Sequence, residues 1–134
     1  MSQTNLALVR SIVTAWERGD YSSAEWANPE IEFVFVGGPS PDGWRGLTGM
    51  AEGFRDFLSA WEEWRTGVDE YRELDDERVL VLTHNSARGK TSGMDVGRLR
   101  TETASVFHVR DGKVTKLVNY FDRDRAFADL GLKE

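Results

Sequence analysis

In "NLALVRSIVTAWERGD" the apolar residues Leu6, Val9, Val13 and Trp16 recur at spacings of three and four. That spacing places them along one stripe of a helix, with Gly19 as the stop. Ser22 stands three residues before Glu25, the spacing of a capping box, and predicts a short second helix that Pro29 ends. "IEFVFV" is β-branched and aromatic and reads as a strand. "GGPSPDGWRG" reads as a loop from its glycines and prolines. Thr48 is placed to cap a long helix that carries Met50, Phe54, Phe57, Leu58, Trp61 and Trp64 on one face.

After Gly67 the period falls to two. "VDEYREL" and "RVLVLTHNSAR" flank "DDE" as one hairpin, and "RLRTETASVFHV" and "KVTKLVNYF" flank "RDG" as another. Helices with one strand, followed by four strands in succession, predict an α+β fold in which helices cover one face of an antiparallel sheet. No repeat, low-complexity run or linker interrupts residues 1–134, so one domain is expected. Asp122 stands where it would cap a short C-terminal helix, and Asp124 would complement that helix's dipole. Gly131 then lies past the end, where Leu132 would fold back on Phe127.

The turn "VRDGKV" sets which side chains face the helices. A two-residue Asp-Gly loop pairs Arg110 with Lys113, two like charges; a three-residue loop with Gly112 left-handed pairs Val109 with Lys113. The second is preferred on electrostatic grounds. It pairs Phe107 with Thr115, Ser105 with Leu117 and Thr103 with Asn119, and sends Thr103, Ser105, Phe107, Leu117, Asn119 and Phe121 inward. Neutral polar groups facing an aromatic helix predict a cavity with a few hydrogen-bonding points, because an inward Asn without a partner is costly. The opposite face would carry Val106, Val114, Val118, Tyr120 and His108, and its apolar character predicts a homodimer through that face.

Composition narrows the classes of function. Of 134 residues, 40% are hydrophobic and 30% charged, as in an ordinary globular chain, and the net charge is −6 with acids and bases interspersed. No basic face for nucleic acid is present. The apolar runs are too short to span a bilayer, and "MSQTNLALVR" has neither a basic n-region nor a long apolar h-region. No signal peptide and no membrane partner are therefore expected. The chain has no cysteine, which excludes disulfides and thiolate catalysis and fits a cytoplasmic location. Two histidines without ligand spacing predict no metal site, and nothing calls for a cofactor.

Few residues remain to carry chemistry. His84 suits proton transfer near neutral pH, but it adjoins Asn85 on a strand that starts apolar on both faces, so parity leaves open which of the two faces inward. Trp44, in the Gly-rich loop, and Trp64 are candidate ligand contacts; Trp16 and Trp61 read as core. Arg88 and Lys90 lack the strand–loop–helix context of a phosphate loop and read as a solvated turn.

The order of elements, together with "EEWRTGVDEYRELDDERVLVL", "RGKTSG", "VFHVRDGKV" and "YFDRDRAFADLGL", resembles the SnoaL-like family of the nuclear-transport-factor-two-like superfamily. The resemblance implies a strongly curved sheet wrapped around N-terminal helices, cone-shaped with an internal cavity, and sheet-to-sheet dimers. The superfamily includes both enzymes and binding modules. Where its steroid isomerases carry a tyrosine, a base aspartate and a hydrogen-bonding acid, this chain has Ile12, Val34 and Ser105. Where its limonene epoxide hydrolases carry a tail aspartate and an Arg-x-Asp pair, this chain has Asn119, with Asn85 and Ala87. The resemblance thus implies a module that binds a small, largely apolar or carbocyclic molecule without the usual carboxylates, and the inward pattern and aromatic placement read above put its contacts at Trp44, Trp64, His84, Thr103, Ser105, Phe107, Asn119 and Phe121. The alternative is an enzyme of the polyketide cyclase or ketosteroid isomerase type, using His84 with Ser105 or Asn119 as polarising donors.

Overall fold

The computed structural model of the chain describes residues 2–20, 25–36, 43–59, 61–89 and 98–132. Helix α1 (Ser2–Glu17) is followed by strand β1 (Ala27–Val36), the two-residue strand β2 (Trp44–Arg45) and helix α2 (Gly46–Ser59). Four long strands come next: β3 (Trp61–Glu73), β4 (Arg78–Gly89), β5 (Arg98–Arg110) and β6 (Lys113–Tyr120). Helix α3 (Arg123–Leu130) closes the chain. The six strands form one strongly curled, unclosed sheet in the order β2-β1-β6-β5-β4-β3. The fold is α+β, as expected, but the sheet is mixed, because β1 runs parallel to β6. No helix among the described residues is long and apolar enough to cross a membrane.

Three expected elements shift. The second helix predicted from Ser22 lies largely outside the described residues. Beyond it, Pro29 is inside β1 rather than after a helix, in the stretch between Ala27 and Glu32 where pairing with β6 is irregular. A residue without an N–H is tolerated at such a break in a ladder. Helix α2 begins at Gly46, ahead of Thr48, and ends at Ser59. Trp61 and Trp64 therefore belong to β3 and not to the helical face: Trp61 pairs with Gly89 across the sheet. Their spacing of three fits a helix, but pairing with β4 along ten register positions outweighs that local signal.

The β5–β6 turn also departs from expectation. Asp111 (φ 54°) and Gly112 (φ 75°) are both left-handed, the signature of a two-residue type I′ turn, and Arg110 stands opposite Lys113. The like charges tolerate this because each has its own partner. Arg110 Nη2 lies 3.5 Å from Glu77 Oε1, while Lys113 Nζ donates to the Glu25 carbonyl. The register then shifts between His108 and Val109, leaving Thr115 as an extra residue, so that Phe107 faces Leu117 and Ser105 faces Asn119. This register differs by two residues from the expected one. Because side chains alternate with a period of two, the inward set survives. Val114 is the exception: it lies before the bulge and is buried in the inner core rather than on the outer face.

The inner core joins α1, α2 and the concave face through Val9, Val13, Ile31, Phe33, Phe107 and Leu117. Phe33 is fully buried, with ring centroids 5.0 Å from Phe35 and 4.6 Å from Phe54. Gly53 permits this closeness: a Cβ there would come within 2.8 Å of the Phe33 ring and 2.9 Å of the Trp44 ring. A second cluster on the convex face gathers Leu80, Leu82, Ala104, Val106 and Tyr120 beneath Ala126 and Phe127 of α3. The apolar outer face expected to drive dimer formation is therefore covered at Val106 and Tyr120 within one chain.

The caps of α3 form as expected. Asp122 accepts from the Asp124 N–H at 3.0 Å, and Gly131 is left-handed with φ 69°. Gly131 N–H donates to Ala128 and Leu132 N–H to Phe127, which is a Schellman closure. These caps place Arg123 in the first turn of α3, over the back of β4.

Candidate functional site

The inner face forms a partly open cavity of about 70 Å³. Its walls are aromatic: Trp16 from α1, Phe54 from α2, Phe35 from β1, Phe107 from β5 and Phe121 after β6. The Phe35 and Phe121 rings stack at 5.4 Å, and Trp16 lies against Phe107 at 5.7 Å. Six neutral polar residues interrupt these walls, in two groups.

The first group spans three strands. Thr66 Oγ1 donates to Asn85 Oδ1, Asn85 Nδ2 donates to Thr103 Oγ1 at 2.6 Å, and Thr103 and Thr83 share a hydroxyl–hydroxyl bond. These residues meet because the registers Thr66↔Asn85 and Thr83↔Thr103 line up equivalent positions on β3, β4 and β5. In the second group Ser105 Oγ donates to Asn119 Oδ1 at 2.8 Å, and Asn119 Nδ2 donates to the Val34 carbonyl at 3.4 Å. No carboxylate, histidine, lysine or arginine is among the described residues that line the cavity.

Thr103, Ser105, Phe107, Asn119 and Phe121 therefore converge as the inward pattern predicted. Asn85 reaches the cavity and His84 does not, which closes the parity left open in the sequence. His84 stands on the convex face, where 61% of its side chain is exposed. Trp44 packs on Phe33 and Phe35 beside the core and is not part of the cavity wall. The backbone of Trp64 lies in β3, and its side chain falls outside the described residues. So does the side chain of Arg88, and Lys90 lies outside them altogether. The sequence reading missed Thr66 and Thr83, and took Asn85 only as the undecided neighbour of His84. The available signal was cross-strand alignment of Thr and Asn, which needs the register of three strands.

On the convex face His84 belongs to a charged cluster. A bulge in β3 between Val68 and Glu70 leaves Asp69 outside the ladder, where it reaches His84 Nδ1 at 2.6 Å and Arg123 Nη2 at 2.8 Å. Gly67 makes room for the imidazole: a Cβ there would come within 2.5 Å of His84 Nε2. Arg123 also donates to the Thr83 carbonyl at 2.7 Å and approaches Glu102 at 3.4 Å. The cluster thus fastens α3 to the back of the strand whose Thr83 hydroxyl faces the cavity. The hydrogen bond from Arg123 is the largest influence on Asp69 and holds its carboxyl below the ordinary value, against a smaller opposing effect of burial.

A carboxyl whose folded value is depressed contributes stability above its unfolded value, near pH 4, and loses it as the pH falls through the folded value. Wild type is therefore expected to lead Asp69→Asn in melting temperature at pH 6, with the lead closing below about pH 4. A lead of constant size down to pH 2 would show that the Asp69 charge does not fasten α3.

The SnoaL-like domain family profile matches residues 9–117. No curated protein matches the chain. Among solved structures, an NTF2-like protein of unknown function from Burkholderia pseudomallei K96243 superposes with a TM-score of 0.76 at 18% identity, over 93% of this chain and 95% of that one. A protein from Jannaschia sp. CCS1, described as a SnoaL-like polyketide cyclase, superposes at 0.75 with 11% identity, over 99% and 95%. TerC, co-crystallised with polyporic acid, superposes at 0.72 with 20% identity, over 95% and 97%. At such identities the likeness of structure speaks for the fold alone. The family match spans most of the chain and includes Thr66, Thr83, Asn85, Thr103 and Ser105 of the polar wall, ending two residues before Asn119. On that match the chain belongs to the SnoaL-like domain family.

Proposed function

We propose that this protein is a binding module that takes up one small, largely apolar molecule in the cavity. The observation that supports this most directly is the makeup of the wall: aromatic rings interrupted by six neutral hydrogen-bonding side chains, with no acid–base pair among the described residues that line it. General acid–base chemistry needs a group that exchanges a proton near the working pH, and serine, threonine and asparagine side chains do not. They orient a ligand instead. A second reading, an enzyme of the polyketide cyclase or ketosteroid isomerase type, draws on the family and on the hydroxyl–amide group, which could polarise a carbonyl. His84, on the convex face, would be separated from any substrate in the cavity by the sheet.

One experiment separates the two. 1-Tetralone, a neutral bicyclic ketone, carries exchangeable hydrogens beside its carbonyl. The binding reading expects saturable calorimetric heat and no deuterium uptake in D₂O beyond the buffer rate. Saturable uptake that is lost in Asn85→Leu would establish the enzyme instead. No heat and no uptake would defeat both readings.

A further inference from the structure

The hydrogen-bond inventory of the cavity narrows what it accepts, given that the cavity is a binding site. Asn85 has two amide hydrogens, and Thr66, Thr83 and Thr103 have one hydroxyl hydrogen each. The three bonds that join these four residues use one hydrogen each, so two of the five remain for something else. The remainder does not depend on which hydroxyl donates or on which way the Asn85 amide is turned. In the second group Ser105 and Asn119 hold three hydrogens; bonds to Asn119 Oδ1 and the Val34 carbonyl use two and leave one. Asn85 and Thr83 are buried. Buried donors without an acceptor are rarer and costlier in proteins than acceptors with a spare lone pair. The described wall offers no anionic acceptor to meet them.

The two groups are separated in space. Thr103 and Ser105 are two residues apart on one strand and face the same way, which places them about 7 Å from one another. The space between aromatic walls is limited as well. A volume of about 70 Å³ admits roughly five to seven waters at about 10–15 Å³ each, equivalent to about 150–200 Å³ of liquid. That is the bulk of a molecule with one or two fused rings. No cation lines the described wall, and the nearest guanidinium in the clusters above, Arg123, is turned to the convex face.

We infer that the cavity selects a neutral one- or two-ring molecule with two acceptor oxygens, one for the Thr66–Asn85–Thr103–Thr83 group and one for the Ser105–Asn119 group. The oxygens are carbonyl-like, since each has only to accept: two spare hydrogens face the first and one faces the second. The aromatic walls supply affinity without regard to polarity, and the two groups supply the choice. A carboxylate is disfavoured because it would be desolvated without a counter-charge.

Titration calorimetry with naphthalene, 1-tetralone and 1,4-naphthoquinone tests this on the full chain. The three share a bicyclic frame and present no, one and two carbonyl oxygens. Affinity is expected to rise along the series, by roughly fivefold to tenfold per oxygen. A variant with the first group cleared (Thr66→Val, Thr83→Val, Asn85→Leu and Thr103→Val) removes donors and acceptors together and so leaves no stranded partner. It should bind the quinone only as tightly as wild type binds tetralone, with naphthalene unchanged. The pair Ser105→Ala and Asn119→Leu should have the same effect through the other oxygen, and serves alone if the fourfold variant does not fold. If naphthalene binds as tightly as the quinone, the inference falls and the binding-module reading stands. If both cleared variants retain the preference, its origin is elsewhere and the inference falls. Equal binding of 2-naphthoate would overturn the requirement for neutrality. If none of the compounds binds, the inference and the reading beneath it fall together.

Discussion

Phe107→Ala is expected to lower the free energy of unfolding by about 3–5 kcal/mol, the usual cost of truncating a buried phenylalanine. Phe107 has no exposed surface, pairs with Leu117 on β6 and lies against Trp16 of α1. It serves both the core and the cavity wall, so the space it vacates joins a void that already exists. The sheet resists collapse at this point because β5 is paired on both sides, with β4 and with β6. Against a typical domain stability of about 5–15 kcal/mol, such a loss is large but leaves a folded population to measure. Urea denaturation should show a lower midpoint with an unchanged slope. A loss below about 1 kcal/mol would mean that the ring packs loosely and that the cavity wall is not as described.

Asn119→Asp is expected to cost stability in a pH-dependent way. Ser105 would still donate to one oxygen of the new carboxyl. The other oxygen would meet the Val34 carbonyl, where the Asn119 amide now donates. Two acceptors facing each other favour the protonated acid, which alone can donate to that carbonyl, and partial burial acts in the same direction. The folded value of this carboxyl is thereby raised above its unfolded value. The sign follows: no penalty is present below the unfolded value near pH 4, the penalty grows as pH rises, and it levels off above the folded value. Each unit of elevation is worth about 1.4 kcal/mol, so a rise of two units costs about 3 kcal/mol on the plateau. Asn119→Leu should differ from wild type by the same amount at every pH. Melting curves from pH 3 to pH 8 decide the matter, and a flat difference for the Asp variant would place residue 119 in solvent.

Residues close in sequence, read by period and punctuation, predicted several elements correctly. The stripe Leu6, Val9, Val13 and Trp16 needed only the helical repeat, and the first hairpin only alternation around "DDE". Asp122, Gly131 and Leu132 form their cap from groups within a few positions of one another, so the prediction survived unaltered. Thr103, Ser105, Phe107 and Asn119 face inward as the alternation predicts, although the turn has two residues and not three. An error of two residues preserves the face, whereas an error of one would have reversed it.

Tertiary structure decided the rest, because it turns on partners far away in the chain. Arg110 stands opposite Lys113 with Glu77 and the Glu25 carbonyl as their separate partners, the latter 88 residues from Lys113. Trp61 and Trp64 left the expected helix for β3 because β4 offered a partner for the backbone, and helical spacing carries no information about that offer. His84 and Asn85 could not be distinguished on a strand apolar on both sides of the sheet, since one side is covered by α1 and α2 and the other by α3. The face they choose follows from the bulge that frees Asp69, from the room above Gly67 and from Arg123 on α3. The polar wall of the cavity is of the same kind. Sequence alone determined that neutral hydrogen-bonding residues would line an aromatic interior. Only the register of three strands decided that Thr66, Thr83, Asn85 and Thr103 would be bonded to one another, because hydrogen bonds are short and directional while the chain segments that carry them are not neighbours.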